Sequence, residues 1–110
     1  MKSSPGGVDI VAVKVNADTY VETVSFVYSN GTTSRVYGRE AGTPQKSFKV
    51  ASGDFVTRIT GRAGDFVDSV QFHTKSGDES LQYGSGTGGK PFVMRVDLDR
   101  SFADKFPKDT

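Results

Sequence analysis

An all-β fold is predicted by three features of this 110-residue chain. Fourteen Val and ten Thr, with eight Phe and four Tyr, far outnumber two Leu. β-Branched and aromatic side chains suit a pleated, half-buried surface, whereas Leu and Ala lead in helices. Thirteen glycines repeatedly interrupt any window long enough to propagate a helix. Finally, short apolar runs alternate with turn residues at close intervals, the rhythm of a sandwich, barrel or prism.

Residues 8–15 form a mostly apolar, β-branched run and read as the first strand. Residues 20–28 read as the second, with Val24, Phe26 and Tyr28 on one face and Val21, Thr23, Ser25 and Val27 on the other. Asn30-Gly31 follows, a pair that tolerates positive φ and makes a tight hairpin turn. Further strands are expected at 33–37, 46–51, 54–60, 66–74, 79–83 and 91–98. The polar tail 99–110 alternates charge sign and reads either as one helical turn over 101–105 or as an irregular exit. The whole chain, 1–110, is expected to be a single domain.

An internal repeat organises these strands. Shifted by 46 residues, 18–50 lies over 64–96 without a gap. Identical pairs include Val21/Val67, Val24/Val70, Phe26/Phe72, Gly31/Gly77, Ser34/Ser80, Tyr37/Tyr83, Gly38/Gly84 and Gly42/Gly88, and conservative ones include Tyr20/Phe66 and Glu22/Asp68. Each copy reads as strand, turn, strand ending in Tyr-Gly, glycine-containing loop, strand. A shorter echo sets Gly53-Asp54-Phe55-Val56 against Gly64-Asp65-Phe66-Val67.

Composition also limits function. Fourteen basic and thirteen acidic residues leave a net charge of +1, so the general attraction that nucleic acid requires is missing. No apolar run is long enough to insert in a membrane. The start, Met1 to Gly7, has no apolar h-region and so shows no signal peptide, and the compartment stays open between secreted and cytoplasmic. Zero cysteines exclude a disulfide framework, a thiolate metal site and a cysteine nucleophile. A single histidine, His73, is too few for a typical zinc site, and no metal or other cofactor is expected.

Catalytic readings fare poorly. His73 between Phe72 and Thr74 reads as a strand residue satisfied by a neighbour rather than as a general base. Asp65/Asp68 and Asp78/Glu79 are carboxylate pairs, but glycosidase chemistry needs one carboxyl kept protonated by burial, and Asp78-Glu79 belongs to a polar turn. No enzyme is expected. The run 84–90 superficially resembles a phosphate loop, yet Lys90 is followed by Pro91 and a strand instead of opening a helix. Its glycines expose backbone N–H groups that a ligand could approach closely. Asn30-Gly31-Thr32 is formally a glycosylation sequon, read here as the hairpin turn, and Tyr37 and Tyr83 read as packing residues.

A more productive combination is Gly64-Asp65-Phe66-Val67-Asp68. Gly64 permits a tight turn presenting successive N–H groups, Asp68 offers a carboxylate at the strand mouth, and Phe66 can cover the apolar face of a pyranose. A carboxylate accepting from two neighbouring hydroxyls makes charge-assisted bonds about twice as strong as neutral ones.

Together with Ser52-Gly53-Asp54-Phe55-Val56-Thr57, Tyr83-Gly84 and the glycine loop 84–89, this segment resembles the jacalin-related lectins, over about residues 6–96. The resemblance implies a β-prism I fold, three antiparallel Greek-key sheets about a pseudo-threefold axis, that binds mannose- or galactose-type sugars without metal. It places the sugar site at Asp68, with the N–H groups of Phe66 and Val67, beside Gly64, Gly88 and Gly89, and a mannose-type sugar is the preferred ligand. The first copy, Asp18 to Glu22 with the loop Glu40 to Thr43, lacks the leading Gly and has Glu for Asp, so a degraded site is expected there. Gly6-Gly7 matches the family's N-terminal glycine loop, but after Val96 the chain has no Gly-x-x-x-Asp hairpin to partner it, so the third unit is expected to be incomplete. An incomplete prism leaves sheet edges that could pair in a homo-oligomer. The alternative to sugar binding is a lectin-like structural or protein-interaction domain working through such an edge.

Overall fold

The computed structural model describes residues 9–38, 41–85 and 87–96. The expectations for Gly6-Gly7, Glu40, Gly86 and the tail 99–110 fall outside these residues. Every described element is a β-strand: β1 (Ile10–Ala17), β2 (Val21–Tyr28), β3 (Tyr37–Gly38), β4 (Thr43–Pro44), β5 (Phe48–Lys49), β6 (Val56–Ala63), β7 (Val67–Thr74), β8 (Tyr83–Gly84) and β9 (Lys90–Arg95). All pairings are antiparallel, in the order β4-β1-β2-β7-β6-β9, with β3 added to β2, β5 to β1 and β8 to β7.

The pairing registers repeat with an offset of 46. In the hairpin β1–β2, Val13 faces Phe26, Val15 faces Val24 and Ala17 faces Val21; in β6–β7, Ile59 faces Phe72, Gly61 faces Val70 and Ala63 faces Val67. Register shifts fall at matching places in both hairpins. The bridge Val27–Thr33 recurs as His73–Glu79. The correspondence therefore reaches back to Ile10 and Val56, where the two sequences share only Ala17/Ala63. The shorter echo has no such structural counterpart: Gly53 lies in the turn before β6, and Gly64 in the turn after it.

Strands were expected over 33–37 and 79–83, but only Tyr37–Gly38 and Tyr83–Gly84 pair regularly. The cause is the same serine in each copy. Ser34 Oγ accepts the Phe26 N–H (2.9 Å) and Ser80 Oγ accepts the Phe72 N–H (3.0 Å), so a side chain takes the place of a ladder carbonyl. β4 was not anticipated, because Pro44 offers no N–H; it pairs at a sheet edge, where that loss is tolerated. β6 runs on to Ala63 through Gly61, where a Cβ would lie 2.1 Å from the Ser69 carbonyl oxygen. Only glycine allows the two strands so close an approach.

Alternation puts Val13, Val15, Val24, Phe26, Ile59, Val67, Val70, Phe72, Tyr83 and Met94 in one core fed by both copies. Phe26 and Phe72, equivalent across the repeat, meet edge-to-face with ring centroids 6.2 Å apart, a preferred geometry for aromatic pairs. Tyr83 is 2% exposed and its hydroxyl donates to the Lys46 carbonyl (2.7 Å), which satisfies the polar tip of an otherwise core residue. The two hairpins join edge to edge through Val21–Val67, and this junction sets their connecting turns side by side at one end of the molecule.

Candidate functional site

At that end, the β6–β7 turn closes with the Gly64 N–H donating to the Phe66 carbonyl (2.9 Å). It delivers Asp68, the second residue of β7, to the glycine loop between β8 and β9. Gly88 and Gly89 have φ of +83° and +61°, in the left-handed region that favours glycine. Added Cβ atoms there would lie 2.8 Å from Asp68 Oδ1 and 2.5 Å from Asp68 Oδ2. The two glycines thus form a cradle around the carboxylate that any side chain would fill. Gly64 completes it, since its own Cβ position is 3.4 Å from the Gly89 Cα.

The repeated Tyr-Gly pair has a role in the same construction. Gly84, at φ +85°, approaches the Asp68 backbone so closely that a Cβ would be 2.4 Å from the Asp68 carbonyl oxygen. The next N–H, of Ser85, donates both to that oxygen (2.9 Å) and to the Thr19 carbonyl of the neighbouring turn (3.0 Å). Asp68 is therefore held by its backbone and left open at its side chain.

Asp68 is 7% exposed, yet among the described residues no hydrogen bond or ion pair engages its carboxylate. Neither do the N–H groups of Phe66, Gly88 and Gly89 find a described acceptor. Buried polar groups are almost always partnered, by protein, water or ligand. Here an acceptor and several donors converge with their capacity unspent.

Of the residues expected at this site, the structure brings together Gly64, Asp68, Gly88 and Gly89. Val67 is fully buried, backbone included, and pairs with both Ala63 and Val21, so it supports the site from beneath, while Phe66 is 42% exposed. Two further residues were missed by sequence reasoning. Arg62 donates through Nε to the Gly88 carbonyl (2.8 Å) and through Nη2 to the Gly89 carbonyl (3.0 Å), pinning the glycine loop from the end of β6. Tyr20 stacks on Phe66 with ring centroids 4.8 Å apart, a contact between equivalent positions of the two copies. The Tyr20/Phe66 correspondence in the repeat was the available signal for the second; nothing in the sequence marked Arg62.

In the first copy, Gly42 takes the place of Gly88, at φ +83°. Its Cβ position lies 2.8 Å from Glu22 Cγ, so the longer side chain sets an aliphatic carbon against the glycine where Asp68 sets an oxygen. His73 is occupied elsewhere: Nε2 shares a 2.7 Å hydrogen bond with Thr60 Oγ1, and Nδ1 lies 3.2 Å from Glu79 Oε2. Burial and then the Arg58 charge lower its pKa, against the opposing pull of Glu79. Among the described residues no cluster of three or more His, Asp or Glu side chains could hold a metal ion, and no helix is long and apolar enough to cross a membrane.

Comparison with known proteins agrees with this architecture. A prostate-specific WGA16 glycoprotein lectin superposes with a TM-score of 0.69 at 21% identity, over 88% of this chain and 69% of that one. Artocarpin, described as a lectin with mannose specificity, gives 0.65 at 19%, over 87% and 78%. A mannose-binding jacalin-related lectin from Ananas comosus gives 0.63 at 18%, over 80% and 65%. These likenesses identify the fold as a β-prism I. In sequence, the chain is 35% identical over 69 residues to a Schizosaccharomyces pombe protein named "Putative zinc metalloproteinase C607.06c", spanning 63% of this chain and only 11% of that protein. The model of the jacalin-like lectin domain matches residues 2–102, and the chain belongs to that family.

Proposed function

We propose that the protein is a carbohydrate-binding module, not a catalyst, that takes a mannose-type sugar at Asp68 without a metal. The observation that carries this reading is Asp68, a residue nine-tenths buried whose carboxylate faces a glycine cradle and has no described partner. Two vicinal hydroxyls of a pyranose would donate to its oxygens, and the N–H groups of Phe66, Gly88 and Gly89 would donate to theirs. Phe66, braced by Tyr20, presents an apolar surface to the sugar's C–H groups. The mannose specificity given for artocarpin supports the choice of sugar by analogy of fold. A single sugar held by one carboxylate and a few N–H groups is expected to bind at millimolar affinity, about −4 kcal/mol, so useful binding would come from several sites on one assembly.

The test is a proton–nitrogen NMR titration of the chain with methyl α-mannoside and methyl α-galactoside, repeated on Asp68→Asn. Saturable shifts at 64–68 and 84–89, strongest for the mannoside and weakened about tenfold in the variant, are expected. Removing an unpartnered buried charge should not lower the melting temperature. Undiminished binding by a folded Asp68→Asn would overturn the assignment.

A second reading rests on β9, the last strand in the sheet order, where Val93 is 65% exposed. As a protein-interaction domain, the chain would pair through this strand. Sedimentation as a monomer at tens of micromolar, together with saturable sugar binding, would dismiss it.

A further inference from the structure

The two copies share a backbone plan but use the side chains on one face of each hairpin in opposite ways. On the second hairpin, Thr60 sits opposite Gln71 and Arg62 opposite Ser69. Three of these four are engaged internally: Thr60 with His73, Gln71 through Nε2 with the Ser80 carbonyl, and Arg62 with the carbonyls of Gly88 and Gly89. The matching square on the first hairpin is Lys14 opposite Ser25 and Asn16 opposite Thr23. Among the described residues none of those four side chains makes a hydrogen bond or ion pair.

This square lines a concavity of about 450 Å³ together with Val36, Ala41 and Gly42. Thr23 is only 7% exposed and lines the concavity, and its hydroxyl has no partner among the described residues. A buried hydroxyl without a partner costs free energy that a ligand or ordered water recovers. Val36, 45% exposed, is an apolar wall that would otherwise face water. On the second hairpin Gln82 stands in the position of Val36, and Arg62 crosses to the glycine loop.

We propose that the concavity on the first hairpin is a second ligand site, independent of Asp68, for an acidic pyranose of the hexuronic class. Among the described residues Lys14 is the one charged residue lining it, and it supplies the carboxylate contact. Asn16, Thr23 and Ser25 provide amide and hydroxyl groups in two adjacent cross-strand rows, matched to the ring hydroxyls of a single sugar. Val36 covers the sugar's apolar face. The Asp68 site discriminates in the opposite sense, since its carboxylate repels an acidic sugar.

The test is an NMR titration of the labelled chain with methyl β-glucuronide, with methyl β-glucoside as the neutral counterpart and sodium acetate as the bare anion, each to about 50 mM. The expected result is saturable shifts at Lys14, Asn16, Thr23, Ser25, Val36 and Gly42, with the glucuronide about threefold tighter than the glucoside, as an exposed lysine–carboxylate contact allows. Lys14→Met should remove that preference, and Asp68→Asn should leave it intact. Absent shifts, equal binding of the glucoside, the same response to acetate alone, or an undiminished response in Lys14→Met would each overturn the proposal. Because the Asp68→Asn protein is titrated with both sugars, loss of the mannoside site and loss of this one are read separately.

Discussion

Gly89→Ala is the sharpest perturbation of the glycine cradle, and its cost separates into two parts. The first is conformational: at φ +61° an alanine pays roughly 1–2 kcal/mol for the left-handed backbone. The second is steric. The new methyl would meet Asp68 Oδ2 at 2.5 Å on one side and the Ala63 carbonyl carbon at 2.7 Å on the other. The carboxylate could rotate, but the Ala63 backbone is held in the β6–β9 ladder, and overpacking of this kind adds about 1–3 kcal/mol. Gly53→Ala is the control, because Gly53 has φ +84° and nothing within 4 Å of its Cβ position. We expect Gly53→Ala to cost about 1 kcal/mol and Gly89→Ala about 3 kcal/mol. At about 4 °C per kcal/mol for a chain of this length, the melting temperatures should fall by about 4 °C and about 12 °C. Calorimetry measures both, and a mannoside titration at a temperature where both variants are folded should show binding lost only in Gly89→Ala. Equal melting temperatures would refute the steric account of the cradle. Mannoside binding unchanged in Gly89→Ala would refute its link to the ligand.

Arg62→Gln removes two charge-assisted donors from the glycine loop; amide exchange at Gly88 and Gly89 should quicken and mannoside affinity fall about tenfold, while the core amides of β7 keep their protection. Asp54 gives a pH dependence. Although burial alone would raise its pKa, hydrogen bonds from the Ser76 and Thr74 side chains and from the Phe55 and Ser76 N–H groups bring it down to about 2. A carboxyl whose folded pKa is depressed stabilises the protein above its unfolded pKa, and that contribution is lost as pH falls from about 4 towards 2. Asp54→Asn should therefore flatten the decline of the urea midpoint across that window. A slope identical to the parent's would show that the Asp54–Ser76 contact does not survive in solution.

Much of the fold was legible because the residues that punctuate it cannot be exchanged. Gly84 and Gly88 at positive φ, and the core pair Phe26 and Phe72, recur at one offset because each copy repeats the same backbone constraint. Asp68 stood out through its spacing from Gly64. The correspondence between β1 and β6 was not legible, since any alternating sequence with inward Val or Ile satisfies those strands, and only Ala17/Ala63 coincide. The extents of β3 and β8 were overestimated, because Ser34 and Ser80 look like ordinary strand residues until their hydroxyls are seen to interrupt the ladder. Arg62 escaped notice for a different reason. Its role lies in reaching two carbonyls more than twenty-five positions later, and no local pattern encodes that distance.

The two interrupting serines also bear on self-association. Each hydroxyl accepts an N–H from the long strand beside it and donates to the carbonyl of the residue that follows it, Arg35 or Leu81. A backbone amide that would have been available to an incoming strand is thus consumed by a group that cannot propagate a ladder. The plug is duplicated with everything else, at Phe26 of β2 and at Phe72 of β7. In both copies a hydroxyl oxygen, and not a charged side chain, ends the regular ladder beside the long strand.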